Sequence, residues 1–118
     1  MTAGLSVGAA ERRKGARAQT EAAKVVSDVL GIACRNGAAN GVRSGDDIVT
    51  PTLPVRWEVK RTERPRLAEY VRQVTADAGT LPRVILWRGN RSPWVAIVPL
   101  SDLPTLAESI TRAREGPP

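Results

Sequence analysis

Apolar residues Ala18, Ala22, Val25, Val26, Val29 and Leu30 recur at intervals of one, three and four, the stripe of a helix that buries one face, and Gly31 closes it. The first predicted helix therefore runs from about Gly15 to Leu30. With about 100° between successive residues, Glu21 lies at the border of the stripe, about 40° from Val25, while Arg17, Lys24 and Asp28 turn toward solvent. Ile32-Ala33-Cys34 is a short apolar run that reads as a strand. The Asn36-Gly37 and Asn40-Gly41 pairs make Arg35 to Gly45 a turn-rich loop. Ile48-Val49 forms a brief strand stopped by Pro51 and Pro54. Val55 to Lys60 then alternates strictly, with Val55, Trp57 and Val59 on one face and Arg56, Glu58 and Lys60 on the other.

Arg64-Pro65 opens a second helix, whose apolar stripe is Leu67, Tyr70, Val71, Val74 and Ala78 and whose end is Gly79. Val84 to Trp87 and Trp94 to Val98 read as strands joined in a hairpin by the turn-rich Arg88 to Pro93. Ser101 is positioned to cap a last helix carrying Leu103, Leu106, Ala107 and Ile110, with Pro104 in its first turn. The order is αβββαββα, a mixed α/β domain. Neither Met1 to Arg12, which has no sustained period, nor Glu115 to Pro118 is expected to be firmly ordered.

At 118 residues the chain fits one modest domain, and with three Trp, one Tyr and no Phe its core must be aliphatic. Eighteen Lys and Arg against twelve Asp and Glu, a net charge of +6, favour a polyanionic partner, most simply nucleic acid. No apolar run approaches the roughly 20 residues of a membrane span and no signal-peptide segment opens the chain, so a soluble cytoplasmic protein is expected. Cys34 is the only cysteine and histidine is absent, which excludes an intrachain disulfide, zinc held by Cys or His clusters, and catalysis through Ser-His-Asp or Cys-His. Cys34 reads as a small buried hydrophobe. Chemistry is left to carboxylates, Lys, Tyr, Ser or a hard metal ion.

Glu58 and Lys60, two apart on a strand, project from one face, and Asp47 opens the preceding strand across a short connection. Two carboxylates offer the hard oxygen donors that Mg²⁺ takes while keeping several waters and contacting a phosphate. A lysine beside them can orient the attacking water and stabilise the charge that develops as a phosphodiester is hydrolysed.

Gly45-Asp46-Asp47-Ile48 followed by Trp57-Glu58-Val59-Lys60 resembles the signature of the PD-(D/E)XK nuclease superfamily, with Asp46 where the proline usually stands. Arg13-Lys14-Gly15 and Glu21 on the first helix resemble the opening of archaeal-type and phage Holliday junction resolvases, and Gln73 matches a glutamine on the helix after the lysine strand. The similarity spans roughly Lys14 to Val98. It implies a restriction-endonuclease-like mixed β-sheet flanked by helices. With the unpatterned ends set apart, the expected organisation is a flexible segment over residues 1–13, one nuclease domain over 14–114 and a frayed tail over 115–118. The similarity also implies Mg²⁺, replaceable by Mn²⁺, on Glu21, Asp47 and Glu58, catalytic roles for Lys60 and Gln73, a branched-DNA substrate and a homodimer that cuts a four-way junction symmetrically.

Several positions carry two readings. Glu21 is either a site residue or a helical ion-pair partner of Arg17 or Lys24, and Asp46 competes with Asp47 as a ligand. Gln73 is either a site residue or a solvated helix residue. Arg13, Lys14 and Arg17 with Arg12, and Arg35, Arg43 and Arg61 with Arg64 and Arg66, suit phosphate contact as sets, although any one of them fits a solvated surface. Trp57 and Trp87 read as core, whereas Trp94 follows a turn and is open. Other nucleases of the superfamily, nicking, repair or restriction-like, and a non-catalytic basic DNA-binding protein are the competing functions.

Overall fold

The computed structural model describes residues 3–37 and 47–116, with side chains from residue 15 onward. Arg43 and Asp46 lie outside the described residues, as do the side chains of Arg13 and Lys14. The first helix, α1, spans Ala3–Leu30 and so starts twelve residues before the expected Gly15. Apolar period marks only the part of a helix that packs, and the Ala-rich stretch ahead of it carries helix propensity without a stripe. Gly31 ends the helix as expected: at φ 68° it enters the left-handed region, and its N–H donates to Ser27 O at 2.9 Å. Ala18, Ala22, Ala23 and Val26 are the buried residues of α1, and these small side chains bring its backbone close to the sheet. Val29, expected in the stripe, is 71% exposed.

Strand β1 is Arg35–Asn36, not the apolar run before it, and pairs antiparallel with β2, Ile48–Val49. Ile32 is buried in the core, but from a connecting segment. The Asn36 side-chain amide donates to Ala16 O at 3.2 Å and Thr20 Oγ1 at 2.9 Å, which fastens the β1–β2 pair to α1. After β2, Thr50 Oγ1 donates to Leu53 O at 2.7 Å and accepts the Trp57 indole N–H at 2.9 Å, which folds the chain back beneath the next strand.

Strand β3, Arg56–Arg61, runs parallel to β4, Arg83–Arg88, in the register Arg56↔Arg83 to Arg61↔Arg88. Helix α2, Leu67–Ala78, is the crossover that a parallel pair requires. It begins two residues after Pro65, leaving Leu67 48% exposed at its first turn. Strand β5, Val95–Ile97, returns antiparallel to β4 as the hairpin pattern predicts, giving the order β3-β4-β5. Helix α3, Leu103–Glu115, carries Pro104 in its first turn, but Ser101 does not cap it. Asp102 holds the cap position and no side chain makes the capping bond; its carboxylate instead accepts from the Arg83 backbone N–H at 3.0 Å and from Arg83 Nε at 2.6 Å and Nη2 at 3.1 Å.

The element order is thus the predicted αβββαββα, a mixed α/β architecture with two small sheets. Alternation on β3 and β4 divides the core. Val55, Trp57, Val59, Val84 and Leu86 face α1 and Leu106 of α3, while Ile85 faces Tyr70 and Val74 of α2. Among the described residues no helix is long and apolar enough to cross a membrane.

Candidate active site

Asp47 reaches the outer edge of β3, where a strand without a neighbour leaves N–H groups to be satisfied by other means. Its Oδ2 accepts the Val59 N–H at 2.6 Å, and its Oδ1 accepts Gln19 Nε2 of α1 at 3.2 Å. The pairing of β2 with β1, and of β1 with α1 through Asn36, fixes the carboxylate there. Both of these hydrogen-bond donors are neutral, and among the described residues no cation is hydrogen-bonded to the carboxylate. Burial, with Glu58 adding to it, pushes the Asp47 carboxyl up to about 6, against the opposing effects of the Val59 N–H, Lys60 and Arg56.

Glu58 and Lys60 share the α2 face of β3, as alternation predicts, and form an ion pair with Lys60 Nζ 3.2 Å from Glu58 Oε1. The Lys60 ammonium also lies 5.5 Å from the centre of the Tyr70 ring. Further down the strand, Arg56 pairs with Asp77 of α2 at 3.5 Å. Those two contacts bracket Gln73 on the same side of α2 and place it opposite Glu58. Gln73 Oε1 is buried and accepts no hydrogen bond from any described residue, although a buried acceptor of this kind normally has a donor.

Glu21 is placed differently. Its Oε1 accepts from Arg88 Nη1 at the end of β4 and from Trp94 Nε1 at 2.9 Å. Among the described residues no three Asp, Glu, Cys or His groups are gathered as for a metal ion, so Glu21 is not brought to Asp47 and Glu58. Trp94, whose role was open, is a partner of Glu21, while Trp57 is core and Trp87 is half-buried with its indole N–H on Thr62 Oγ1 at 3.0 Å. The Cys34 thiol is half-buried, and burial pushes its pKa up to about 11, which leaves it unsuited to nucleophilic work.

A cleft of about 430 Å³ opens between α1 and the end of β3, lined by Gly15, Ala18, Gln19, Val59, Lys60, Arg61 and Thr62. Arg61 is half-buried at its wall, whereas Arg17 and Arg35 are exposed. Gln19 was missed by sequence reasoning. The signal was present in its position, one turn of helix after Gly15 and polar beside the buried Ala18, but a polar helix residue next to an apolar stripe is commonplace.

The carboxylates of Asp47 and Glu58 are a donor set suited to a hard divalent ion, which needs only one or two carboxylates when waters and a substrate phosphate complete its shell. Compared with family models, curated proteins and solved structures, the chain matches none of them.

Proposed function

We propose that this chain is a metal-dependent endodeoxyribonuclease whose site comprises Asp47, Glu58 and Lys60, with Gln73 above Glu58. The observation that carries the reading is the meeting of Asp47 with the Glu58–Lys60 pair at one edge of β3, although the two parts come from different strands. Asp47 and Glu58 would hold Mg²⁺ or Mn²⁺, which supplies Lewis-acid polarisation of a phosphate and an activated water when bound. Lys60 then places a positive charge beside the reacting phosphate, where negative charge grows in the transition state. Val59 N–H and Gln19 keep the Asp47 carboxylate fixed, and Gln73 Oε1 offers an acceptor to a water or hydroxyl in the site. The net charge of +6 and the Lys60–Arg61 wall of the cleft suit a polyanionic strand.

The restriction-endonuclease-like arrangement, the branched-DNA substrate and the homodimer belong to the same proposal and rest on the sequence resemblance. The test is incubation of the protein with a labelled four-way junction and the matching linear duplex, in Mg²⁺ and in EDTA, beside Glu58→Ala and Lys60→Ala. Cutting by the wild type alone, and only with metal, is the expected result. Binding without metal-dependent cutting would leave a non-catalytic DNA-binding protein, and equal cutting of both substrates would remove the preference for branched DNA.

A further inference from the structure

Arg61 and Arg88 are direct partners in the parallel register of β3 and β4. They continue the rows of Val59 and Leu86, so both guanidinium groups project to the α1 side of the sheet at its C-terminal end. Two cations placed side by side repel one another unless an anion joins them. Glu21 supplies a carboxylate to Arg88 alone, and Arg61 has no acceptor among the described residues. The Nε of each arginine is buried and without a hydrogen-bond partner among those residues. A buried donor left unmet is destabilising, so both groups favour an acceptor.

The surroundings of Glu21 are cationic as well. It lines a groove on α1 with Arg17 and Lys24, one helical turn to either side. One carboxylate therefore sits among Arg17, Lys24 and Arg88, with Arg61 next to Arg88. Guanidinium forks match the paired oxygens of a phosphodiester in a way that lysine does not. Lys60, Arg61 and Gln19, the residue that holds Asp47, all line the cleft along β3, so a strand passing around the free edge of β3 would meet Lys60 from one face of the sheet and Arg61 from the other.

We propose that Arg61 and Arg88 form a subsite for a backbone phosphate of DNA adjoining the phosphate at Lys60, and that Glu21 occupies Arg88 as a competing anion until DNA displaces it. The proposal rests on the nuclease reading for the identity of the strand, but its chemistry is binding and needs no metal.

The experiment is fluorescence anisotropy of a short fluorescein-labelled DNA duplex titrated with the full chain in EDTA over a series of salt concentrations. Arg61→Ala and Arg88→Ala are each expected to weaken binding roughly tenfold at low salt, and the double variant to lower the slope of log K against log salt by about 0.9, the value for one phosphate rather than two. Glu21→Gln is expected to tighten binding severalfold, because it removes the competitor while leaving an amide for Trp94. Arg88→Lys should recover part of the lost affinity if charge matters, and less than all of it if the fork matters. Circular dichroism melts of each variant confirm that folded protein is compared.

Wild-type affinity in Arg61→Ala, whose side chain has no hydrogen-bond or ion-pair partner among the described residues to lose, would overturn the subsite. So would unchanged or weaker binding by Glu21→Gln. Cleavage in Mg²⁺ is scored separately: a wild type that shows these binding dependences but never cuts defeats the nuclease reading and leaves the subsite standing. One that cuts while the arginine variants bind as wild type defeats the subsite alone.

Discussion

Asp47 and Glu21 are two half-buried carboxylates presented to one parallel strand pair, Asp47 at the outer edge of β3 and Glu21 at the C-terminal end of β4, and they are satisfied by different chemistry. Glu21 accepts from the Arg88 guanidinium, so its charge is already compensated. Asp47 accepts from a backbone N–H and a glutamine amide, both neutral, and Lys60 and Arg56 act on it without a hydrogen bond among the described residues. Burial, with a smaller contribution from Glu58, raises its carboxyl to about 6 against the opposing Val59 N–H, Lys60 and Arg56. A carboxylate bonded only to neutral donors is fixed in position yet open to a cation, whereas one bonded to arginine is committed until another anion takes its place.

The largest effect expected from this difference is on turnover. Glu58→Ala or Lys60→Ala should lower metal-dependent DNA cleavage by at least about 10²–10³-fold, as the loss of one preorganised electrostatic group does, measured by single-turnover assays on a labelled junction. If either variant cuts within a few-fold of wild type, the β3 edge is not the reacting centre.

Next in size is a gain of stability. The folded-state pKa of Asp47 lies above its ordinary value of 3.8, so the native protein holds this proton more tightly than the unfolded chain does. The associated stability is fully present below about pH 4 and is lost as pH rises through about 6. Asp47→Asn removes that loss: urea denaturation of the metal-free protein at about pH 8 should show the variant more stable by up to about 3 kcal/mol, with the difference gone by about pH 4. A variant less stable than wild type at the higher pH would mean that the charge is well accommodated.

The turn that carries β2 against β3 gives a smaller effect. Thr50→Val strips the acceptor from the buried Trp57 indole N–H and should cost about 1–3 kcal/mol in urea denaturation at any pH, in contrast to the pH-dependent change at Asp47. Gln19→Leu, which removes one of two bonds to Asp47, should cost about 1 kcal/mol or less and reduce cleavage by less than Glu58→Ala does. A cleavage loss as large as that of Glu58→Ala would place Gln19 in contact with substrate.

Elements were legible where packing imposes a period. The strict alternation of Val55 to Lys60 set both the strand and the side of it on which Glu58 and Lys60 meet, and Gly31 marked the end of α1 through its left-handed backbone. What failed depended on long-range partners. Ile32-Ala33-Cys34 looks like a strand because it is apolar, yet the ladder forms three residues later, where Asn36 can anchor to α1. Ser101 has the right chemistry for a helix cap, but the cap position falls to Asp102, whose carboxylate is occupied by Arg83 across 19 residues of chain. In the site, the Asp47 and Glu58–Lys60 groups were readable from spacing. The attachment of Glu21 to Arg88, 67 residues away, was not, because nothing local distinguishes it from the pairing with Arg17 or Lys24 that helical spacing offers.

The most direct measurement is calorimetric titration of Mn²⁺ into DNA-free protein, comparing the wild type with Asp47→Asn, Glu58→Gln and Glu21→Gln. The binding heat of the wild type is expected to be lost in Asp47→Asn and Glu58→Gln and retained in Glu21→Gln, as for a metal ion held by Asp47 and Glu58. Binding that survives in Glu58→Gln but disappears in Glu21→Gln would contradict that placement of the metal.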